Sequence, residues 1–516
     1  MAYKYTSSLF KRIPVQILGD LPHVRVSGVT ADSRQVKPGW LFVAIKGENS
    51  DGLNYLPQAI ANGAVAVLSD RPKPTGLLVP YIQAEGDMRR VMAYIASALN
   101  NFPARKLRVI GITGTDGKTT TTSMIHHILT EAGIKAGMIS TVSVRIGTEE
   151  LDTGFHVTTP DSPDIQRYLA MMVDAGMTHC VLETTSHGLA QQRVAACDYD
   201  IAVITNVTHE HLDYHGTWQN YLEAKGKLFE YLSETPRKRI GNPRMAVLNK
   251  DDRSYSYLKR VSTPRQISYS MINEASLWAD NIENTPQMLR FRCHISKHVY
   301  SVQTRMIGIY NVSNCLAALG ATVLALGIDT KTAIQALKTL PIVPGRMETI
   351  DLGQDFSAIV DFAHTPNGLQ RALETVRQLT DKRVIAVYGS AGLRDREKRR
   401  MMPKVSIANA DISVLTAEDP RTESLAAILE DMALSAVEAG GVEGETFFRI
   451  GDRREAIRYA VKIAQPGDLV VVCGKGHEQS MCFGTTEYLW DDRNALKAAL
   501  SELLGLNGPE MPYLPD

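Results

Sequence analysis

The sequence predicts an α/β protein of three domains. These are a small N-terminal α/β domain, a central domain on a phosphate-loop (P-loop-type) parallel sheet, and a C-terminal doubly wound, Rossmann-like domain. Three observations carry this. A glycine-rich strand–turn–helix stretch, VIGITGTDGKTTTTSMIHHIL, occupies 109–129. Continuous apolar runs follow it and end in polar residues, as strands buried on both faces do. Past a Pro/Gly-marked hinge at 341–346, PIVPGR, apolar strands and amphipathic helices alternate regularly.

The first domain is assigned to 1–104. Strands are predicted at 26–30, 40–45 and 64–68, and helices at 56–64 and 88–99. Between the first two strands lies Asp32-Ser33-Arg34, which reads as an ordinary polar turn.

The second domain is assigned to 105–341. Its first strand, predicted at 107–112, runs into Gly114-Thr115-Asp116-Gly117-Lys118-Thr119-Thr120. The helix after it repeats Met124, Ile125, Ile128 and Leu129 at helical spacing. Glycines let backbone N–H groups approach phosphate oxygens, and a helix N-terminus adds partial positive charge. Lys118 is placed to reach the terminal phosphates, and the Thr119 hydroxyl to ligate Mg²⁺. The longer form of this motif has a Gly where Ile112 stands, so the chain carries the compact form, G-x-x-G-K-T. Further strands are predicted at 179–183, 200–206 and 245–249. Ligands of open α/β sheets sit beyond the carboxyl ends of strands. Glu183 and His211 therefore belong near the phosphate loop, as candidate Mg²⁺ or water-shell ligands. The stretch His209-Glu-His-Leu-Asp-Tyr-His215 lacks the H-E-x-x-H zinc spacing, because Asp213 stands where the second His is needed. Lys225, in a helix predicted at 218–232, reads as a solvated surface lysine.

The third domain is assigned to 342–516. Strands are predicted at 358–362, 384–388, 412–416 and 469–473, and helices at 368–379, 424–439, 453–464 and 493–504. Polar clusters follow each strand: Asp361 and His364; 389–396; Glu418, Asp419 and Arg421; Gly474, Lys475, His477 and Glu478. They predict one substrate face. No G-x-G-x-x-G follows the first strand, so a dinucleotide site is not supported.

Composition narrows the class. Lys+Arg and Asp+Glu both number 56, so the net charge is zero, against a nucleic-acid partner held by bulk charge. The first residues have no long apolar core, and no apolar run approaches membrane-spanning length. The 6 cysteines contain no C-x-x-C pair and read as reduced, buried thiols. A cytoplasmic protein without membrane partners, and a monomer, is expected.

Ten short stretches then occur in order: ADSRQVKPGWLFVAIKG, GITGTDGKTTTT, VTTPDS, ETTSHGLAQQRV, TNVTHEHLDYHGTWQNYLEAK, GIYNVSNCLAAL, GRME, DFAHTPNGL, AEDPRTE and GKGHE. Over essentially its whole length the chain resembles the Mur ligases, most closely their MurE (UDP-N-acetylmuramoyl-tripeptide synthetase) type. The resemblance implies an ATP- and Mg²⁺-dependent ligase of peptidoglycan precursor synthesis. Its partners would be a UDP-N-acetylmuramoyl dipeptide and a free diamino acid. Meso-diaminopimelate is favoured, with L-lysine, L-ornithine or a folylpolyglutamate-type ligase as alternatives. By position, the first domain would hold the UDP end of the substrate, with Ser33 in its loop, and Thr158, Thr159, Thr185, Gln191 and Arg193 match the family's contacts to the UDP-muramoyl dipeptide. Lys225 matches a lysine that the family carbamylates into a Mg²⁺-ligating carboxylate, joining Thr119, Glu183 and His211. Asn311, Arg346 and Asp361 match positions near the nucleotide. Arg394, Glu418, Asp419, Pro420, Arg421, Gly474 and Glu478 match the amino-acid pocket. Two segments depart from the family pattern: GSAGLRDREKRR replaces a GGDRD-type turn, and Glu418-Asp-Pro-Arg421 replaces D-N-P-R. Both bear on which amino acid is taken.

Overall fold

A computed structural model describes residues 3–47, 50–151, 158–208, 210–262, 265–285, 288–394 and 396–515. Three main sheets order the chain. The N-terminal sheet has five strands in the spatial order Ile17–Leu18, Tyr81–Ala84, Ala64–Ser69, Trp40–Val43 and Gly28–Thr30, the last four parallel. The expected Asp-Ser-Arg turn is a single 3₁₀ turn, Ser33–Gln35, capped by Asp32 accepting from the Arg34 amide at 3.0 Å.

Eleven strands form the central sheet. Seven run parallel, in the spatial order Ala136–Ile139, His179–Glu183, Arg108–Thr113, Ile201–Ile204, Met245–Asn249, Gln266–Ser270 and Leu277–Asn284. The strand leading into the phosphate loop is thus flanked by those that end at Glu183 and Ile204. Antiparallel strands extend both ends: Val144–Ile146 and Glu149–Leu151 at one, Leu289–Ile295 and His298–Thr304 at the other. Leu289, Phe291, Cys293 and Ile295 are buried while Arg290 and Arg292 are exposed, the alternation of a half-solvated antiparallel strand. Both sheet faces are covered. Met124, Ile125, Ile128 and Leu129 of the helix Lys118–Glu131 pack with the helices Tyr310–Leu319 and Thr330–Thr339 on one face. The helices Ser162–Asp174 and Trp218–Glu234 fill the other. Burying each such apolar side chain contributes about 1.5–3 kcal/mol.

The C-terminal sheet runs Glu348–Thr349, Ser357–Asp361, Leu469–Cys473, Val384–Tyr388, Ile412–Leu415, Phe447–Arg449, parallel after its first strand. The helices Pro366–Arg377, Arg396–Asn409 and Leu425–Glu438 lie in one core, and Arg453–Ile463 and Asp492–Leu504 in the other, so the sheet is wound on both sides. Among the described residues no helix is long and apolar enough to cross a membrane. All six cysteines are buried and free.

Candidate active site

The phosphate loop is shaped by two glycines that no other residue could replace without strain. Gly114 has φ +152° and Gly117 φ +80°. A Cβ on Gly114 would meet Thr205 Oγ1 at 1.8 Å, and one on Gly117 would meet Asn314 Oδ1 at 2.3 Å. The loop is pinned from the next strand end: the Asp116 amide donates to Asn206 Oδ1 at 3.0 Å, and Thr205 Oγ1 donates to the Asp116 carbonyl at 2.6 Å. Lys118 folds back on the loop, donating to the Gly114 and Thr115 carbonyls at 3.2 and 2.7 Å. These are neutral acceptors that an anionic phosphate would outcompete.

Beside the loop, Thr119 Oγ1 donates to Glu183 Oε1 at 2.9 Å, and the Thr141 amide donates to Glu183 Oε2 at 3.0 Å. Asn311 holds the neighbouring turn, donating to the Ile307 carbonyl at 2.7 Å and accepting from Asn314 at 2.8 Å. His211 has φ +55°, and its ring packs edge-on against His187. Glu183, His211, Thr119 and Asn311 line one cleft of about 510 Å³ with the loop. His209 lies outside the described residues. Among the described residues no three His, Cys, Asp or Glu side chains gather into a metal cluster. A hard-oxygen site of Thr119 and Glu183, completed by phosphate oxygens, nonetheless suits Mg²⁺, which takes few protein ligands.

Lys225 corrects its sequence reading. It is 1% exposed, not solvated. Its Nζ donates to the Gly114 carbonyl at 2.6 Å and lies 4.3 Å from the Tyr221 ring centroid. The helix Trp218–Glu234 turns Tyr221, Leu222, Lys225, Leu228 and Phe229 inward together. Burial, reinforced by the charge of Lys118, drives its pKa well below the usual lysine range. A neutral ε-amine is the form that reacts with carbon dioxide.

The residues matched to the dipeptide substrate form a second group, joined to Glu183 through the backbone. Thr185 Oγ1 and N both donate to Thr159 Oγ1 at 3.0 Å, and Thr159 donates to the Glu183 carbonyl at 3.3 Å. Arg193 donates to the Thr159 carbonyl at 3.0 Å and to Gln191 Oε1 at 2.7 Å. Thr158 and Thr185 reach the cleft. Ser33, expected at the UDP end of the substrate, lies in the N-terminal domain and donates to Gln58 at 2.6 Å.

The C-terminal domain closes the cleft with Arg346, Asp361, Phe362 and His364. Arg346 Nη2 donates to Thr119 Oγ1 at 3.3 Å, and its guanidinium lies over the Phe362 ring. Asp361 accepts from the Met347 and Ala363 amides at 2.7 and 2.9 Å, while burial pushes its pKa up against the opposing Arg346. Arg394, Glu418, Asp419, Pro420, Arg421, Gly474 and Glu478 stand apart from this lining. Glu418 and Asp419 are buried. Glu418 Oε1 lies 3.8 Å from Lys398, and burial raises its pKa. Lys475, also buried, contacts Asp419 at 3.0 Å and Glu478 at 2.5 Å. Burial opposes its charge, but these carboxylates win and hold its pKa above the usual value.

One contact had no sequence signal. Asn367 Nδ2 of the C-terminal domain donates to Asp116 Oδ2 of the phosphate loop at 2.9 Å, and Arg371 lies 3.4 Å from the same oxygen. Burial, aided by nearby Glu210, raises the Asp116 pKa.

A phosphate loop facing a second α/β domain across a polar cleft is the arrangement of a multidomain enzyme that works on a nucleotide. Family profiles agree: the Mur ligase middle domain matches residues 112–322, the Mur ligase glutamate ligase domain matches 345–476, and the Mur ligase family catalytic domain matches 25–101. The chain belongs to the Mur ligase family. It is 42% identical, over 91% of its length and 94% of the relative's, to a UDP-N-acetylmuramoyl-L-alanyl-D-glutamate--2,6-diaminopimelate ligase of Geobacillus thermodenitrificans. A UDP-N-acetylmuramyl-tripeptide synthetase of Roseiflexus is 40% identical over 93% of this chain and 95% of its own. A solved diaminopimelate ligase superposes with TM-score 0.67 and 29% identity, covering 98% of this chain and 100% of that one. A Mycobacterium tuberculosis folylpolyglutamate synthase, 16% identical with TM-score 0.61 over 81% of this chain and 95% of its own, shares the fold.

Proposed function

We propose that this chain adds 2,6-diaminopimelate, in its meso form, to UDP-N-acetylmuramoyl-L-alanyl-D-glutamate at the expense of ATP. The observation that carries the reading is the 42% identity to a ligase of that name across 91% of the chain. The charge pattern supports the amino acid. The carboxylates flanking Arg421 have cations of their own: Lys398 beside Glu418, Lys475 on Asp419, Arg399 on Glu423. Arg421 has no ion-pair or hydrogen-bond partner for its guanidinium among the described residues. A guanidinium suits bidentate pairing with a distal carboxylate, which diaminopimelate has and lysine and ornithine lack.

The chemistry runs in two displacements. A carboxylate of the dipeptide substrate attacks the γ-phosphorus of ATP, giving an acyl phosphate and ADP. The amine then attacks the acyl carbon, phosphate leaves and a proton is lost. Lys118 and the loop amides stabilise charge on the phosphates. Thr158, Thr159, Thr185, Gln191 and Arg193 hold the dipeptide substrate, with Ser33 reading its nucleotide end. Arg346, Asn311 and Asp361 hold the nucleotide. Glu183 and Thr119, with His211 nearby, hold Mg²⁺, which neutralises phosphate charge when bound. Lys225, as a carbamate, adds a carboxylate to that set. Closure of 342–516 over 105–341 aligns the amine and excludes water.

The test is kcat/KM for diaminopimelate, lysine and ornithine at saturating ATP and dipeptide substrate. Diaminopimelate is preferred, and Arg421→Ala erases most of that preference. A preference for lysine or ornithine, unchanged by Arg421→Ala, overturns the assignment.

A further inference from the structure

Lys475 occupies an unusual place. It follows the strand Leu469–Cys473, and its side chain is 1% exposed. A buried ammonium is costly unless it is paired. Here it touches both Asp419 and Glu478. Asp419 is itself buried, with φ +40°, and its Oδ1 also accepts from the Cys482 amide at 2.9 Å. Its interactions thus come from inside the domain. Two residues on, Arg421 has φ +54° and its amide donates to the Cys482 carbonyl at 3.0 Å. Two left-handed residues around Pro420, both tied to Cys482, fix this corner of the pocket. An unneutralised carboxylate at Asp419 would compete for Arg421 or repel a carboxylate approaching it.

We infer that Lys475 is a positioning and specificity-determining residue: by engaging Asp419 and Glu478 it leaves the Arg421 guanidinium for the far carboxylate of the incoming amino acid. Removing the ammonium leaves Glu478 and, two residues from Arg421, Asp419 without their cation. The pocket then favours an amino acid whose far end is only an ammonium. The same pairing explains how Asp is accommodated where the family pattern has Asn. This inference rests on the proposed function.

The experiment compares full-length wild type, Lys475→Met, Lys475→Arg and Lys475→Gln. KM and kcat are measured for diaminopimelate and lysine at saturating ATP and dipeptide substrate. Lys475→Met raises KM for diaminopimelate more than tenfold, with a much smaller change in kcat. It also lowers the diaminopimelate-to-lysine ratio of kcat/KM at least tenfold, and Lys475→Arg recovers most of both. A purely structural role lowers activity with both amino acids alike and leaves the ratio fixed, which overturns the inference. Should Lys475→Met fail to fold, Lys475→Gln decides. It keeps a polar side chain against Asp419 and Glu478 and loses the charge, so the ratio falls at least tenfold; a fixed ratio overturns the inference. Wild type that prefers lysine refutes the proposed function itself, an outcome read before any variant is compared.

Discussion

Asn367→Ala removes the amide that ties the C-terminal domain to the phosphate loop. The main bond lost is a 2.9 Å contact to the carboxylate of Asp116, beside a longer one of 3.4 Å to Thr208 Oγ1. A hydrogen bond to a charged group contributes about 1.5–3 kcal/mol. Among the described residues, Arg371, at 3.4 Å, is what remains on that oxygen across the domain boundary. At about 1.4 kcal/mol per factor of ten, the equilibrium between apposed and separated domains shifts about ten- to 150-fold toward separation. The last substrate to bind needs the apposed state, so kcat/KM for the amino acid falls about tenfold or more. Asn367→Asp sets two carboxylates face to face and falls further. Small-angle scattering of the fully liganded variant stays close to that of the free protein. Kinetics within twofold of wild type, with an unchanged liganded scattering profile, would refute the reasoning.

Three further outcomes follow from the site. Lys118→Ala lowers ligation by more than about 100-fold, because the loop loses its point charge on the transferred phosphoryl group; near-normal turnover defeats the nucleotide assignment. Lys225→Ala loses most activity and is not restored by bicarbonate, while wild type in ¹³C-bicarbonate shows a carbamate carbon by NMR that the variant lacks; no such signal in active wild type removes the carbamate. His179 is buried, which lowers its pKa to about 4. The unfolded chain therefore takes up a proton near pH 6.5 that the fold refuses until about pH 4, so this residue's share of stability is present above pH 6.5 and is lost as pH falls toward 4. By chemical denaturation, His179→Gln loses about 1–3 kcal/mol less than wild type between pH 7.5 and 4.5; equal losses contradict the assignment.

The parts legible in the sequence were those written locally. The strands His179–Glu183, Met245–Asn249, Val384–Tyr388 and Leu469–Cys473 announce themselves as apolar runs with polar ends, and the structure has them at the residues expected. The phosphate loop is legible for the same reason, since its glycines and Lys118 are consecutive. The three strands between Leu277 and Thr304 carry no such mark, because half of each faces water, which makes them read as polar loop. Lys225 was misread because burial of one lysine depends on the helix face it shares with Tyr221, Leu228 and Phe229. The bond between Asp116 and Asn367 spans 251 positions, and neither residue carries a local mark of the other. Lys475 reads in the sequence only as part of a strand-end cluster; its grip on Asp419, 56 positions earlier, exists only after folding.

The central claim is that this fold couples ATP cleavage to one amide bond. The direct measurement incubates the purified protein with ATP, Mg²⁺, UDP-N-acetylmuramoyl-L-alanyl-D-glutamate and diaminopimelate, and follows phosphate release and product mass together. One phosphate per molecule of the diaminopimelate adduct, with release falling to background when either acceptor is omitted, is the predicted result. Phosphate release that continues undiminished without diaminopimelate, or with no adduct formed, contradicts it.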